Sequence, residues 1–241
     1  MKNFLFAFIF AVITNATNAQ EPRQRNSPTP EPPQVETLSQ PDSPLRIASV
    51  QTKWAVPDRS GIELYVVVEN VNAKPVSAYA TRDDGAAEGL NGCWVLSAKS
   101  PGKALNPGQS EGRSTWRGYN PSSHLRRLVD FVEFTDGTTW GADACQSAES
   151  LASRRAGARE ARKMLLEIFT AGGADAVIRT LRSSLREVEP PPNHSLKWKQ
   201  GFLSGFSSYV ERIRQADQEW GYTEIEYALR RPIDALAEKE L

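Results

Sequence analysis

The sequence predicts an α+β protein: an antiparallel β-sandwich followed by about four helices packed on it. Three observations predict this. Six or seven short strand-like runs, separated by turn residues, fill 45–144. From Cys145 onward the apolar period changes from 2 to 3.6. Several strands are apolar on both faces, and a sheet face buried twice over needs a cover, for which the helices are the candidates.

The strands follow in order. LRIASVQTKWAV is the first, and Pro57-Asp58-Arg59-Ser60-Gly61 is turn chemistry. IELYVVVENV is rich in β-branched and aromatic residues. Asn72 to Pro75 turns the chain into VSAYATR, and CWVLSA follows a Gly- and Asp-rich loop. RSTW and LRRLVDFVEF come next, and Asp136-Gly137 is a hairpin signal returning TTW. Ile62, Leu64, Val66 and Val68 share one side of their strand, and Tyr65, Val67 and Val71 the other. Leu128, Val132 and Phe134 likewise oppose Val129 and Phe131.

The helices come next. Leu151, Ala158, Leu165 and Ile168 stripe one that stops at Gly172-Gly173. Ala176, Val177, Leu181 and Leu185 stripe a second, ended before Pro190. Asn193 or Ser195 can cap a third, striped by Trp198, Phe202, Phe206, Val210 and Ile213. Thr223, with Glu226 three residues on, forms a capping box for a fourth.

Residues 1–19 have the layout of a cleavable signal peptide. Lys2 precedes an apolar run from Phe4 to Ile13, and Thr17 and Ala19 occupy the positions before a cut at Gln20. Ten apolar residues make only ~15 Å of helix, half a bilayer core, so a lasting span is not expected. Residues 20–44 hold seven of the 16 prolines among Gln, Glu and Ser and read as a disordered stalk. The β-sandwich is placed at 45–144 and the helical region at 145–241. No transmembrane span is expected in the mature chain, and its place is secreted or periplasmic.

Charge is balanced, with 29 basic and 29 acidic residues, which argues against a general nucleic-acid binder. The two cysteines, Cys93 and Cys145, are expected to form one disulfide in an oxidising compartment. Closing so long a loop stabilises by at most ~4 kcal/mol.

Chemical signatures are weak. The two histidines, His124 and His194, fall in stretches that read as loop, and neither has a nucleophile in a recognised motif. No catalytic residue, metal site or cofactor is assigned. Asp83, Asp84 and Glu88 read better as a solvated turn than as calcium ligands. GFLSG (201–205) is not a nucleophile elbow, and its glycines at i and i+4 suit close helix packing. Arg155, Arg159 and Arg162, with Arg154 and Lys163, form a basic helix face. It is a candidate for an anionic surface; the alternatives are a solvated face partly paired with Glu160 and Glu167, or guanidinium groups packed on the sheet, and the face is expected to carry little weight in stability.

ELYVVVENVNAKPV, LNPGQS before a strand, and VDFVEFTDGTTWG together resemble the immunoglobulin- or fibronectin-III-like sandwiches of exported bacterial proteins. The resemblance implies a fold and no activity. Cys145 departs from the usual pattern by lying after the last hairpin. The expectation is therefore a secreted or periplasmic, non-enzymatic binding or scaffold protein of the cell envelope, its partner an unknown protein or envelope polymer. The alternative is a hydrolase or transferase acting on envelope polymers with paired carboxylates, such as Asp130, Glu133 or Asp143.

Overall fold

The computed structural model describes residues 31–55, 61–84, 93–96, 103–118, 125–183, 188–220, 222–231 and 233. The expected signal (1–19) and residues 20–30 of the expected stalk lie outside them.

The described elements are β1 (Val35–Thr37), β2 (Leu45–Trp54), β3 (Gly61–Asn70), β4 (Val76–Asp84), β5 (Cys93–Leu96), β6 (Ser110–Gly118), β7 (Leu125–Phe134), β8 (Thr139–Trp140), α1 (Ser147–Arg182), α2 (Leu196–Trp220) and α3 (Tyr222–Arg230). They make two open sheets. One runs β2-β3-β6 and is wholly antiparallel. The other runs β1-β7-β4-β5, with β8 also on β7. A single core lies between them. The inward residues Ile62, Leu64, Val66 and Val68 of β3 meet Val76 and Tyr79 of β4 and Val129 and Val132 of β7. Full burial of each such aliphatic side chain contributes ~1.5–3 kcal/mol.

The second sheet is mixed rather than antiparallel. β1 pairs with β7 in parallel, Val35 opposite Leu125. Its residues belong to the segment expected as stalk, and the segment is tied in further along. The Gln40 amide donates to the Val129 carbonyl (2.9 Å) and accepts the Val129 N–H (2.8 Å). Thr52 donates to the Pro33 carbonyl at 2.8 Å. The compact unit thus begins at Pro32. Val35 packs on the core and Leu45 lies inside it, so this stretch does have apolar groups to offset its ordering.

The helical part meets expectation at Gly172-Gly173 and departs from it in packing. Three helical elements are described, and α1 is two helical segments joined across a kink at these glycines, where one helix was expected to stop and the next to follow. Its backbone breaks at Gly172 (φ −154, ψ 16) and Gly173 (φ 67, ψ −166), the latter a conformation close to glycine-only. The helices also bury their stripes mainly on each other. Ala158, Leu165, Val177, Leu181, Phe206, Val210, Ile213, Ile225 and Leu229 form a second core, separate from that of the sheets. Among the described residues the first turns of α1 cover a sheet, where Leu151 packs on Ala78, Ala80 and Phe131. β7 is accordingly buried on both faces. β3 is not: Tyr65 stays exposed, as does Val71 just past the strand's end.

Up to its break, α1 runs side by side with α2 in the same direction. At their starts Lys197 Nζ donates to the Cys145 carbonyl (3.1 Å) and Ser195 Oγ donates to Glu149 Oε1 (3.1 Å). Farther along, Gly157 abuts Phe202 and Phe206. Parallel neighbours need a return connection, and the chain after the Gly172-Gly173 break supplies it: the Leu181 carbonyl accepts from Arg214 (3.3 Å), Val188 shares a cavity with Phe206, and Pro191 one with Trp198. Ser195 then caps α2, accepting the Trp198 N–H at 3.0 Å.

Burial pushes the Tyr79 phenol up to about 12, a rise that Arg113 opposes by charge and hydrogen bond. Tyr209, in the helical core, is raised for the same reason. Above pH ~10 the unfolded chain releases these protons while the folded chain holds them, so stability falls as pH rises. We expect Tyr79 to contribute a slope of ~1.4 kcal/mol per pH unit between pH ~10 and ~12. Urea titrations at stepped pH should show this loss in the wild type and a shallower one in Tyr79→Phe. Equal slopes in both would refute the assignment.

Candidate functional site

The carboxylates considered for acid–base work all hold the junction between β7 and α1. Asp130, at the centre of β7, accepts the backbone N–H of Ala144 (3.2 Å) and of Cys145 (3.0 Å) and pairs with Arg82 (3.1 Å). Asp143 accepts the N–H of Ser147 and of Ala148, capping α1. Glu133 is gripped by Arg155 through two hydrogen bonds of 2.7 and 2.8 Å, and it accepts from Ser77 at 2.6 Å. Each group has a structural partner set that a substrate would have to displace. Cys93 and Cys145 are bonded to each other across the same junction, linking β5 to the start of α1.

The remaining candidates scatter. His124 lies outside the described residues. Asp83 is a strand residue in a buried two-bond ion pair with Arg127, at 2.7 and 2.9 Å, and 85–92 lie outside the described residues. Among the described residues no group of three or more His, Cys, Asp or Glu converges to hold a metal ion. No described helix is long and apolar enough to cross a membrane.

The basic face divides. Arg155 is largely buried, its side chain 11% exposed in a pair with Glu133, so it is not part of a solvated face. Arg162 donates to the Leu229 carbonyl (2.8 Å) and to that of Arg230 (3.3 Å), satisfying the end of α3. Arg154 is exposed. Arg159, Arg162 and Lys163 come together along one side of a groove of about 930 Å³.

That groove runs between α1 and α2. Its apolar surface comes from Ala156 and Leu166 of α1, Pro191 of the return connection, and Trp198 and Phe202 of α2. Trp198 is held between two rings. It stacks on His194 (centroids 3.7 Å apart, 10° between planes) and on Phe202 (5.6 Å, 21°). Trp198 and Phe202 are i and i+4 on one face of α2, and His194 joins them from the turn before the helix. Glu160 and Glu167 line the groove with the three cations, so its rim is charged and mixed with a net positive excess. The sequence pointed to both the basic residues and the aromatic stripe, but not to their meeting. The return connection brings them together, and its path is not encoded in any local pattern. No family model, no curated protein and no solved structure matches this chain.

Proposed function

We propose that this is an exported, non-enzymatic binding protein of the cell envelope, and that the α1–α2 groove holds an amphiphile with an anionic head, such as a lipid. One observation carries the reading: an open groove with an aromatic and aliphatic floor and a rim where three cations outnumber two carboxylates. The floor offers an apolar body dispersion contacts and removal from water. The rim offers its head a charge. The disulfide is consistent with an oxidising compartment. Two open sheets about one core support reading the β half as an immunoglobulin-like sandwich.

The test is titration of the full chain with laurate and with lysophosphatidylglycerol, read by displacement of a fluorescent apolar dye. Ala156→Trp should fill the groove and abolish binding. Arg159→Glu with Lys163→Glu should weaken both ligands by about tenfold at an unchanged melting temperature. Failure of both amphiphiles to displace the dye would sink the proposal.

A further inference from the structure

Two large aromatic side chains of the β2-β3-β6 sheet face water from diagonal positions on β3 and β6. Trp116 is 58% exposed and Tyr65 42%. In the register of β3 and β6, Trp116 stands opposite Glu63 and Ser114 opposite Tyr65, so both rings project from the outer face. Neither ring stands off the sheet. A Cβ added at Gly61 would meet Trp116 Nε1 at 2.7 Å, and one added at Gly112 would run into the Tyr65 hydroxyl. Each ring therefore reclines over a glycine two residues from its cross-strand partner, where any other residue would prop it up. This is a surface paved with rings at the expense of two side chains in the strands.

Around the rings the face is polar and its charges cancel. Glu63 lies between them and pairs with Lys53 at 2.9 Å. Lys53 and Ser114 both hydrogen-bond to the Glu63 carboxylate, and Lys53 most of all holds it below its ordinary pKa. Arg46 pairs with Glu69 toward the other end. Gln51 stands opposite Tyr65 on β2. A polyanion would meet Glu63 and Glu69, and a polycation Lys53 and Arg46, so neither gains by charge. The complement is a neutral chain that carries apolar C–H faces and many hydroxyls.

We propose that the outer face of the β2-β3-β6 sheet binds a neutral polysaccharide. Pyranose faces stack on Trp116 and Tyr65, and ring hydroxyls bond to Gln51, Ser114 and the Lys53–Glu63 pair. The rings supply area at small entropic cost, since each has only two side-chain torsions to fix. The site shares no residue with the α1–α2 groove and stands or falls apart from it.

The test uses isotope-labelled full chain titrated with cellohexaose and, separately, with chitohexaose, which distinguishes a plain glucan from an N-acetylated glycan. Amide shifts should concentrate on β3 and β6. Trp116→Ala and Tyr65→Ala should each weaken binding by about tenfold with melting unchanged, and Trp116→Phe should keep most of it. Three results would overturn the proposal: no shift with either glycan at millimolar concentration, shifts centred on the α1–α2 groove, or alanine variants that bind as the wild type does. If an alanine variant unfolds, the shift map of the wild type decides alone.

Discussion

Asp83→Ala should cost about 3–5 kcal/mol of unfolding free energy. Asp83 and Arg127 are both buried, with side chains 0% and 1% exposed, and two parallel hydrogen bonds join them within the β4–β7 pairing. Losing the carboxylate leaves a guanidinium in the interior without its counter-charge. The pair itself has a smaller net worth, because desolvating both ions offsets much of their attraction. Asp83→Leu with Arg127→Met should therefore recover much of the loss. Denaturant titration of the two variants checks this. A single variant within ~1 kcal/mol of wild type would show that water reaches Arg127.

Gly157→Ala and Gly205→Ala should each destabilise the helical part by about 2 kcal/mol or more. Elsewhere in a helix the change from glycine to alanine gains about 1 kcal/mol from propensity. Here the sign reverses. A Cβ at Gly157 would run into the Phe202 carbonyl oxygen, and one at Gly205 into that of Arg154. Backbone cannot rotate away as a side chain can, so α1 and α2 must part and loosen the core they share. Gly201→Ala should be milder, because its obstacle is the Ser153 hydroxyl. Calorimetry on the three variants gives the order. If Gly205→Ala proves as stable as wild type, the two helices do not pack at this distance.

What the sequence disclosed follows the range of the signal. Leu165, Phe206, Val210 and Ile213 were legible as buried stripes because helical periodicity is local. The inward set on β3 was legible for the same reason. Cys93 with Cys145 followed from their number and from the exported context expected of the chain. Three features were not legible. Val35–Thr37 joins β7, 90 residues away, in a stretch whose prolines masked the few apolar residues that dock it. Arg155 looked like its neighbours on a basic helix, and only the distant Glu133 makes it structural. Two-sided apolarity at Tyr65, Val67 and Val71 predicted a cover, and the structure leaves Tyr65 and Val71 open, with Trp116 of β6 beside them on the same sheet. Apolar residues on an outer face signal burial or binding alike, and periodicity cannot tell them apart.

The most direct test of the binding account is the shift map of isotope-labelled full chain with laurate. The account predicts perturbation of the Trp198 indole N–H and of amides from Ala156 to Leu166, saturating with one ligand, and none along β7. Perturbation spread evenly over the helices, or confined to the Asp130–Asp143 junction, would contradict it.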